Sequence, residues 1–366
     1  MTGVRRLWLP VVGRHLVREF RRTFLLTLTA FVAIYVIADF FDRFDKFLRA
    51  DAPIGAIIRS FVFKLPLIIT QVTPIAVLAG ALVGLGLLGR QNEFVALRAC
   101  GVSLLQIIAP LLAMAALVSV SVFVWNETVV PYSARRWHEV ENLEIKKREG
   151  SASIFTGREV WYRGRAGFYN ISRVLPRRRL LQGLTIYQLG RNFRPQRVIE
   201  ARSATWDGTG WQLEDAHTRE FGPNGGEEHA GTPNGFALPE TLADFQVASV
   251  EPEEFSYGTL RRQIRSLQTR GIDVSESWVD LHLKIALPVA SLIMMLLAAP
   301  LAARGTRITS LAAGVGLGFG IGFAYFILVA FTRALGQAMA LPPLLAAWAP
   351  NGVFALVGGY YLLGSD

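Results

Sequence analysis

Residues 87–105, "LLGRQNEFVALRACGVSLL", set a short polar stretch between two long apolar runs. The run before it, Leu65–Gly89, and the run after it, Leu104–Trp125, hold no charged residue. As helices rising ~1.5 Å per residue, both can cross the ~30 Å hydrocarbon core of a bilayer. The polar middle is too short for a domain and too regularly patterned for a simple turn. Read as a helix plus a turn over 90–103, it puts Phe94, Leu97 and Gly101 at i, i+3 and i+7, with Val95 and Cys100 widening the stripe. Arg90, Asn92, Glu93 and Arg98 supply polar groups, and Gly101 suits a C-terminal stop.

Outward from this stretch, apolar residues cluster in six blocks: Thr23–Phe41, Leu65–Gly89, Leu104–Trp125, Ile285–Ala303, Ser310–Thr332 and Leu341–Leu363. Asp39 is the one charged residue inside them. Buried helices of a soluble domain would show polar faces, and these blocks do not. The expected fold is a polytopic α-helical membrane protein of six transmembrane helices, 3+3, with an inserted all-β jelly-roll-like domain. Three regions follow. Residues 1–125 hold three spans and the short helix at 90–100, residues 126–280 the inserted domain, and residues 281–366 three further spans. The long charged leader and the lack of a small-x-small site in "IADFFDRF" make the first block an uncleaved anchor. Glycines 314, 316, 318, 320 and 322 of the fifth block serve either internal packing or a helix that slides or pairs.

Charge sets the orientation. Arg5, Arg6, Arg14, Arg18, Arg21 and Arg22 precede the first block, Arg90 and Arg98 follow the second, and Arg304 and Arg307 follow the fourth. All lie on one side if the N-terminus is cytoplasmic. Both termini are then inside, and residues 126–280 face the periplasm of a bacterial inner membrane. The formal charge is +10, yet residues 126–280 carry 21 Lys/Arg against 21 Asp/Glu. The basic excess therefore flanks the spans, which argues for membrane anchoring and against nucleic-acid binding.

The inserted domain reads as strands. "EVWYR" (159–163) meets "GFYNISR" (167–173), "LTIYQL" (184–189) meets "QRVIEAR" (196–202), and "ARSATW" (201–206) meets "WQLEDA" (211–216) through Gly-containing turns. Period-two alternation with turn signals predicts a sandwich or jelly roll. Residues 222–235, "GPNGGEEHAGTPNG", read as a mobile loop. An amphipathic helix over 256–271 places Leu260, Ile264 and Leu267 on one face. The open edges of such a sheet are either capped or extended by another chain.

Little in the chain suggests intrinsic catalysis. The five lysines are followed by Phe47, Leu65, Lys147, Arg148 and Ile285, so no P-loop exists. "HEVEN" (138–142) lacks the second histidine of a zinc protease, and the five histidines are scattered. "GVSLL" (101–105) departs from a nucleophile elbow at its fifth residue. Cys100 is alone, which rules out an intrachain disulfide. Ion-coupled transporters place ionisable groups near the midplane, and five blocks have none. Energy for any transport would come from another polypeptide. The short helix at 90–100 is then either parked on headgroups or docked in an ATPase cleft. In the second case Phe94 and Leu97 fill the cleft and Glu93 fixes register.

At this point the chain resembles a known family, the permeases of the lipopolysaccharide-export ABC transporter (the LptF/LptG type), and looks closer to the G-type. The resemblance rests on "LAGALVGLGLLGRQNEFVALRACGVS" (78–103), the β region, "LHLKIALPVASLIMMLLAAPLA" (281–302) and "LPPLLAAWAPNGVFALVGGYYLL" (341–363). It implies two related permeases, a cytoplasmic ABC ATPase dimer that binds the ATP and magnesium, a periplasmic jelly-roll bridge, and lipopolysaccharide as cargo. This chain itself would carry no cofactor. The coupling-helix glutamate falls on Glu93, with Arg90, Phe94, Leu97 and Arg98 around it. Lys46 is the implied headgroup contact, with Arg43 and Arg49 as neighbours and Arg135 and Arg136 at the same rim or serving as ordinary anchors. Asp39 and Asp45 are acidic where related chains can be basic. A subunit that passes ATPase strokes to a periplasmic partner without moving cargo, or a secondary transporter, are the competing readings.

Overall fold

Among the residues that the computed structural model describes, seven long or medium helices and six strands stand out. It describes residues 2–90, 96, 99, 103–145, 160–163, 167–175, 179–190, 195–208, 210–221, 227–231, 252–269, 274–303 and 311–364. Helix α1 runs Thr2–Arg49, α2 Ile54–Arg90, α3 Leu104–Val140, α4 Tyr257–Thr269, α5 Ser275–Ala303, α6 Leu311–Gln337 and α7 Pro343–Leu363. Five of them, α1, α2, α3, α5 and α6, are long and apolar enough to cross a membrane. The sixth apolar block forms α7, whose 21 residues include Trp348, Pro350 and Asn351.

The helices overrun the apolar blocks. Arg43, Lys46 and Arg49, which follow the first block, lie on α1, which continues to Arg49. No proline or glycine interrupts residues 42–49, and Lys46 and Arg49 in the last turn favour the negative end of the helix dipole. The reversal comes at Asp51, in a left-handed conformation at φ 43°, followed by Pro53. Helix α3 likewise passes Trp125 and ends at Val140, where a π turn spans Glu141–Ile145. Its start is set by a capping box between Ser103 and Gln106.

Two compact units result: Met1–Arg148 with Glu253–Ile264 and Ser275–Asp366, and Glu149–Pro252 with Arg265–Val274. In the helical unit α2 packs against α1, α3, α5 and α6, and α5 packs against α2, α3, α6 and α7. In α2 78% of the most apolar stretch is buried and in α5 61%, against 17% in α1 and 28% in α6. The first pair is therefore the core, and the second turns apolar surface outward. Small residues set how close the helices come. A Cβ on Gly80 would lie 2.8 Å from the Phe24 Cα, and one on Gly318 2.8 Å from the Ala79 Cα. The Thr23 and Thr27 hydroxyls donate across this seam to the carbonyls of Gly80 (2.8 Å) and Ala76 (3.0 Å). Such bonds replace water where lipid offers no partner. The glycine run of α6 thus splits: Gly318 and Gly322 pack on α2, while Gly316 and Gly320 face open space.

In the other unit, strands β1 (Val160–Arg163), β2 (Phe168–Leu175), β3 (Leu180–Leu189), β4 (Pro195–Trp206), β5 (Trp211–Phe221) and β6 (Glu227–Gly231) form one antiparallel sheet in sequence order. Among the described residues this is an antiparallel meander. The predicted hairpins are present, with "QRVIEAR" and "ARSATW" merged into β4. The expected mobile loop at 222–235 is corrected at Glu227–Gly231, which pairs with β5 from Phe221↔Glu227 to Thr218↔Gly231. Backbone pairing along a free strand edge overrides the low strand propensity of that glycine-rich stretch. The sheet is also creased. Pairing passes over Ser172, Gly183, Arg202 and Asp215, which sit in one row across β2–β5. Gly183 (φ 62°) and Asp215 (φ 52°) are left-handed there. The inward parity flips at the row: Leu181 then Leu184 and Ile186 on β3, Ile199 and Ala201 then Ala204 on β4. Residues from both sides of the crease share one core with Tyr169, Ile171 and Trp211.

Candidate functional site

Where the end of α1, the start of α2 and the end of α3 meet, five polar or aromatic side chains converge. Asp39 and Arg43 are one turn apart on α1 and pair at 3.3 Å. Lys64 of α2 donates to the same Asp39 Oδ1 at 2.6 Å. Arg43 Nη1 reaches Glu141 Oε2 at 3.4 Å, just past α3. The Trp137 ring lies beside both cations, 5.2 Å from the Arg43 guanidinium carbon and 5.0 Å from Lys64 Nζ. Around them Phe47, Ala50, Ala56, Val140 and Ile145 form an apolar collar, with Phe40 and Phe61 packed against it.

The electrostatics follow from that setting. The Lys64 and Asp39 side chains are only 8% and 12% exposed, so water screens them little. Buried charges of this kind persist only when paired. Two acids face two bases, and the cluster is neutral. Its satisfaction is incomplete: Asp39 Oδ2 and Trp137 Nε1 are buried with no hydrogen-bond partner.

This arrangement sorts the cations expected at the headgroup rim. Arg43 is turned into the cluster. Lys46 and Arg49 lie exposed on the last turns of α1 and enter no ion pair among the described residues. Arg135 is exposed on α3 and donates through Nε to the Glu254 carbonyl at 3.1 Å. Arg136 is exposed too, pairs with Glu139 at 3.0 Å and lies 5.8 Å from the Tyr132 ring centroid. Because the collar joins the ends of α1 and α3, these four exposed cations lie at one end of the helical unit. Lys64, buried one position before the expected start of the second block, is the partner that sequence reading missed. A lone Asp39 inside an apolar block was the signal, because an intramembrane charge demands an opposite one.

A second ion pair stands between α5 and α6, where Arg333 Nη2 meets the buried Asp280 at 2.8 Å. Glu276 accepts from Gln337 nearby at 3.0 Å. Deeper, the Tyr325 hydroxyl donates to Asn351 Oδ1 (2.8 Å), whose amide donates to the Ala286 carbonyl (2.7 Å). That chain ties α6, α7 and α5 together.

The proposed coupling residues Glu93, Phe94, Leu97 and Arg98 lie outside the described residues, and Arg90 is described only as the last backbone position of α2. Ala96 and Ala99 between them are helical and exposed. Among the described residues no group of three or more His, Cys, Asp or Glu is placed to hold a metal.

Five membrane-length helices, an attached β unit and a charged cluster within the helical bundle define a multi-pass membrane protein with a β domain. The chain belongs to the lipopolysaccharide export system permease LptF/LptG family, which it matches over residues 14–364. It is similar to the "Lipopolysaccharide export system permease protein LptG" of Escherichia coli K12, at 24% identity over 359 residues, covering 96% of this chain and 98% of that protein. The protein of the same name from Escherichia coli O6:H1 matches to the same extent.

Proposed function

We propose that this chain is a permease subunit of an ATP-driven transporter that extracts lipopolysaccharide from the inner membrane and passes it to a periplasmic bridge. The observation that carries the reading is the family match over 14–364, spanning both membrane halves and the β region rather than one common motif. The geometry supports it physically. A lipid with many acyl chains needs oily surface facing sideways, and α1 and α6 expose Ile37, Phe41, Phe319, Phe323, Ile327 and Phe331. Each CH₂ kept from water contributes about 0.8 kcal/mol, so extraction must replace lipid contacts with protein ones before they are withdrawn. A phosphorylated headgroup needs cations at the rim, and Lys46, Arg49, Arg135 and Arg136 are open there, with Arg43 held in reserve by Glu141.

In this reading α7 is a sixth span, both termini are cytoplasmic, and the region 126–280 is a periplasmic jelly-roll domain. The chain pairs with a second related permease and holds no cofactor of its own. ATP and magnesium are bound by a cytoplasmic ATPase dimer that grips the helix at 90–100. Glu93 meets a basic residue of the ATPase, Phe94 and Leu97 fill its cleft, and Arg90 and Arg98 flank the contact. Co-purification in mild detergent tests this. The tagged chain should bring down a nucleotide-binding subunit, and Glu93→Ala should weaken that association while leaving thermal stability unchanged. Transport at the wild-type rate in the Glu93→Ala variant, or a chain that retains no ATPase, would overturn the proposal.

A further inference from the structure

Helix α1 is two-faced well before its apolar block begins. Leu16 and Phe20 are buried in the core shared with Leu85, Leu88, Ile107 and Leu111, and a Cβ on Gly13 would lie 3.6 Å from the Pro110 ring. The opposite face carries Arg14, Arg18, Arg21 and Arg22, all exposed. None enters an ion pair among the described residues. Glu19 is the one acidic residue between Thr2 and Ala38. Arg14, Arg18, Arg22 and Leu26 follow one another at i, i+4 spacing, and Leu25 stands four residues after Arg21. Leu25 and Leu26 are each 53% exposed and begin the outward apolar face. A row of free guanidiniums thus runs directly into exposed hydrocarbon surface along the same side of one helix.

We infer that this face is a binding site for an anionic phospholipid, its phosphate held by Arg18, Arg21 and Arg22 and its acyl chains lying along Leu25, Leu26 and Ile34. The match is one of charge and of shape together. A phosphodiester accepts charge-assisted hydrogen bonds from several guanidiniums at once. A soluble acidic protein surface would satisfy the arginines but leave the adjoining leucines uncovered. The position along the helix also fits. Arg22 and Arg43 are about 32 Å apart along α1, the thickness of a hydrocarbon core, so the row sits at the bilayer boundary opposite Lys46 and Arg49. The site is therefore separate from the proposed headgroup rim. The inference rests on the membrane character of the chain alone and stands or falls independently of lipopolysaccharide export.

The test is native mass spectrometry of the full-length chain in detergent, titrated with palmitoyl-oleoyl phosphatidylglycerol or the phosphatidylcholine of the same chains. Wild type should retain phosphatidylglycerol in preference to phosphatidylcholine. The double variant Arg18→Gln/Arg22→Gln should lose that preference by about tenfold or more, as arginines at an anionic surface contribute about fivefold each. Thermal melting of the variant in pure detergent should match wild type, because neither side chain packs in the core. Arg261→Gln/Arg262→Gln on the exposed face of α4 should leave the preference intact. Equal retention by wild type and by the α1 variant would overturn the inference, as would an equal loss in the α4 variant. An α1 variant that keeps its lipid but drops a protein partner would assign the face to protein docking instead and also overturn it.

Discussion

Ion pairs occur in both units, and they do opposite things. On the sheet, Arg197–Glu220, Arg219–Glu200 and Arg202–Asp215 bridge neighbouring strands at exposed positions, with side chains 42–80% exposed. In the helical bundle, Asp39, Arg43, Lys64 and Glu141 are 8–21% exposed and locked against Trp137. The chemistry is the same and the solvent is not. Exposed pairs exchange one set of partners for water at little cost, whereas a buried charge that loses its partner has nothing to turn to.

That contrast can be broken by substitution. The largest effect should come from Lys64→Met, which leaves Asp39 with only the more distant Arg43. A loss of about 3–5 kcal/mol is expected, seen as a fall in melting temperature in detergent. Adding Asp39→Asn should restore most of it; no rescue would mean that Lys64 acts through packing rather than charge. Next comes Gly80→Val, whose Cβ would meet the Phe24 backbone at 2.8 Å. Overpacking of this kind costs about 1–3 kcal/mol, while Gly320→Ala on the open side of the same bundle should be neutral. Tyr325→Phe removes one donor to Asn351 and should cost about 1 kcal/mol. Last, Arg219→Gln on the sheet should change stability by less than about 1 kcal/mol, and high salt should erase even that. A larger loss at Arg219 than at Lys64 would reverse the comparison.

The same physics separates what was readable in the residues from what was not. Apolar run length reports a local property, the cost of putting a backbone in hydrocarbon, so the long helices were legible one by one. The hairpins of β1–β5 were legible because alternation and turns are also local. The pairing of β6 was not, since "EEHAG" has little strand propensity and gains its bonds only from β5. Nor was the crease, which needs Ser172, Gly183, Arg202 and Asp215 aligned across four strands. At the candidate site, Lys46 and Arg49 were singled out by the family resemblance, and Arg135 and Arg136 by their place just past the third apolar block. The inward turn of Arg43 depends on Glu141, which is 98 residues away.

The residues by themselves determined that this chain lives in a bilayer, where its cations lie along each helix, and that a β region interrupts the helices. Tertiary structure alone decided that α2 and α5 form the core while α1 and α6 face outward, and that Asp39 meets Lys64. Segment character follows from the transfer of each side chain out of water, which neighbours in sequence settle. Which charges are neutralised follows from three helix ends sharing a low-dielectric pocket, and only the folded chain brings those ends together.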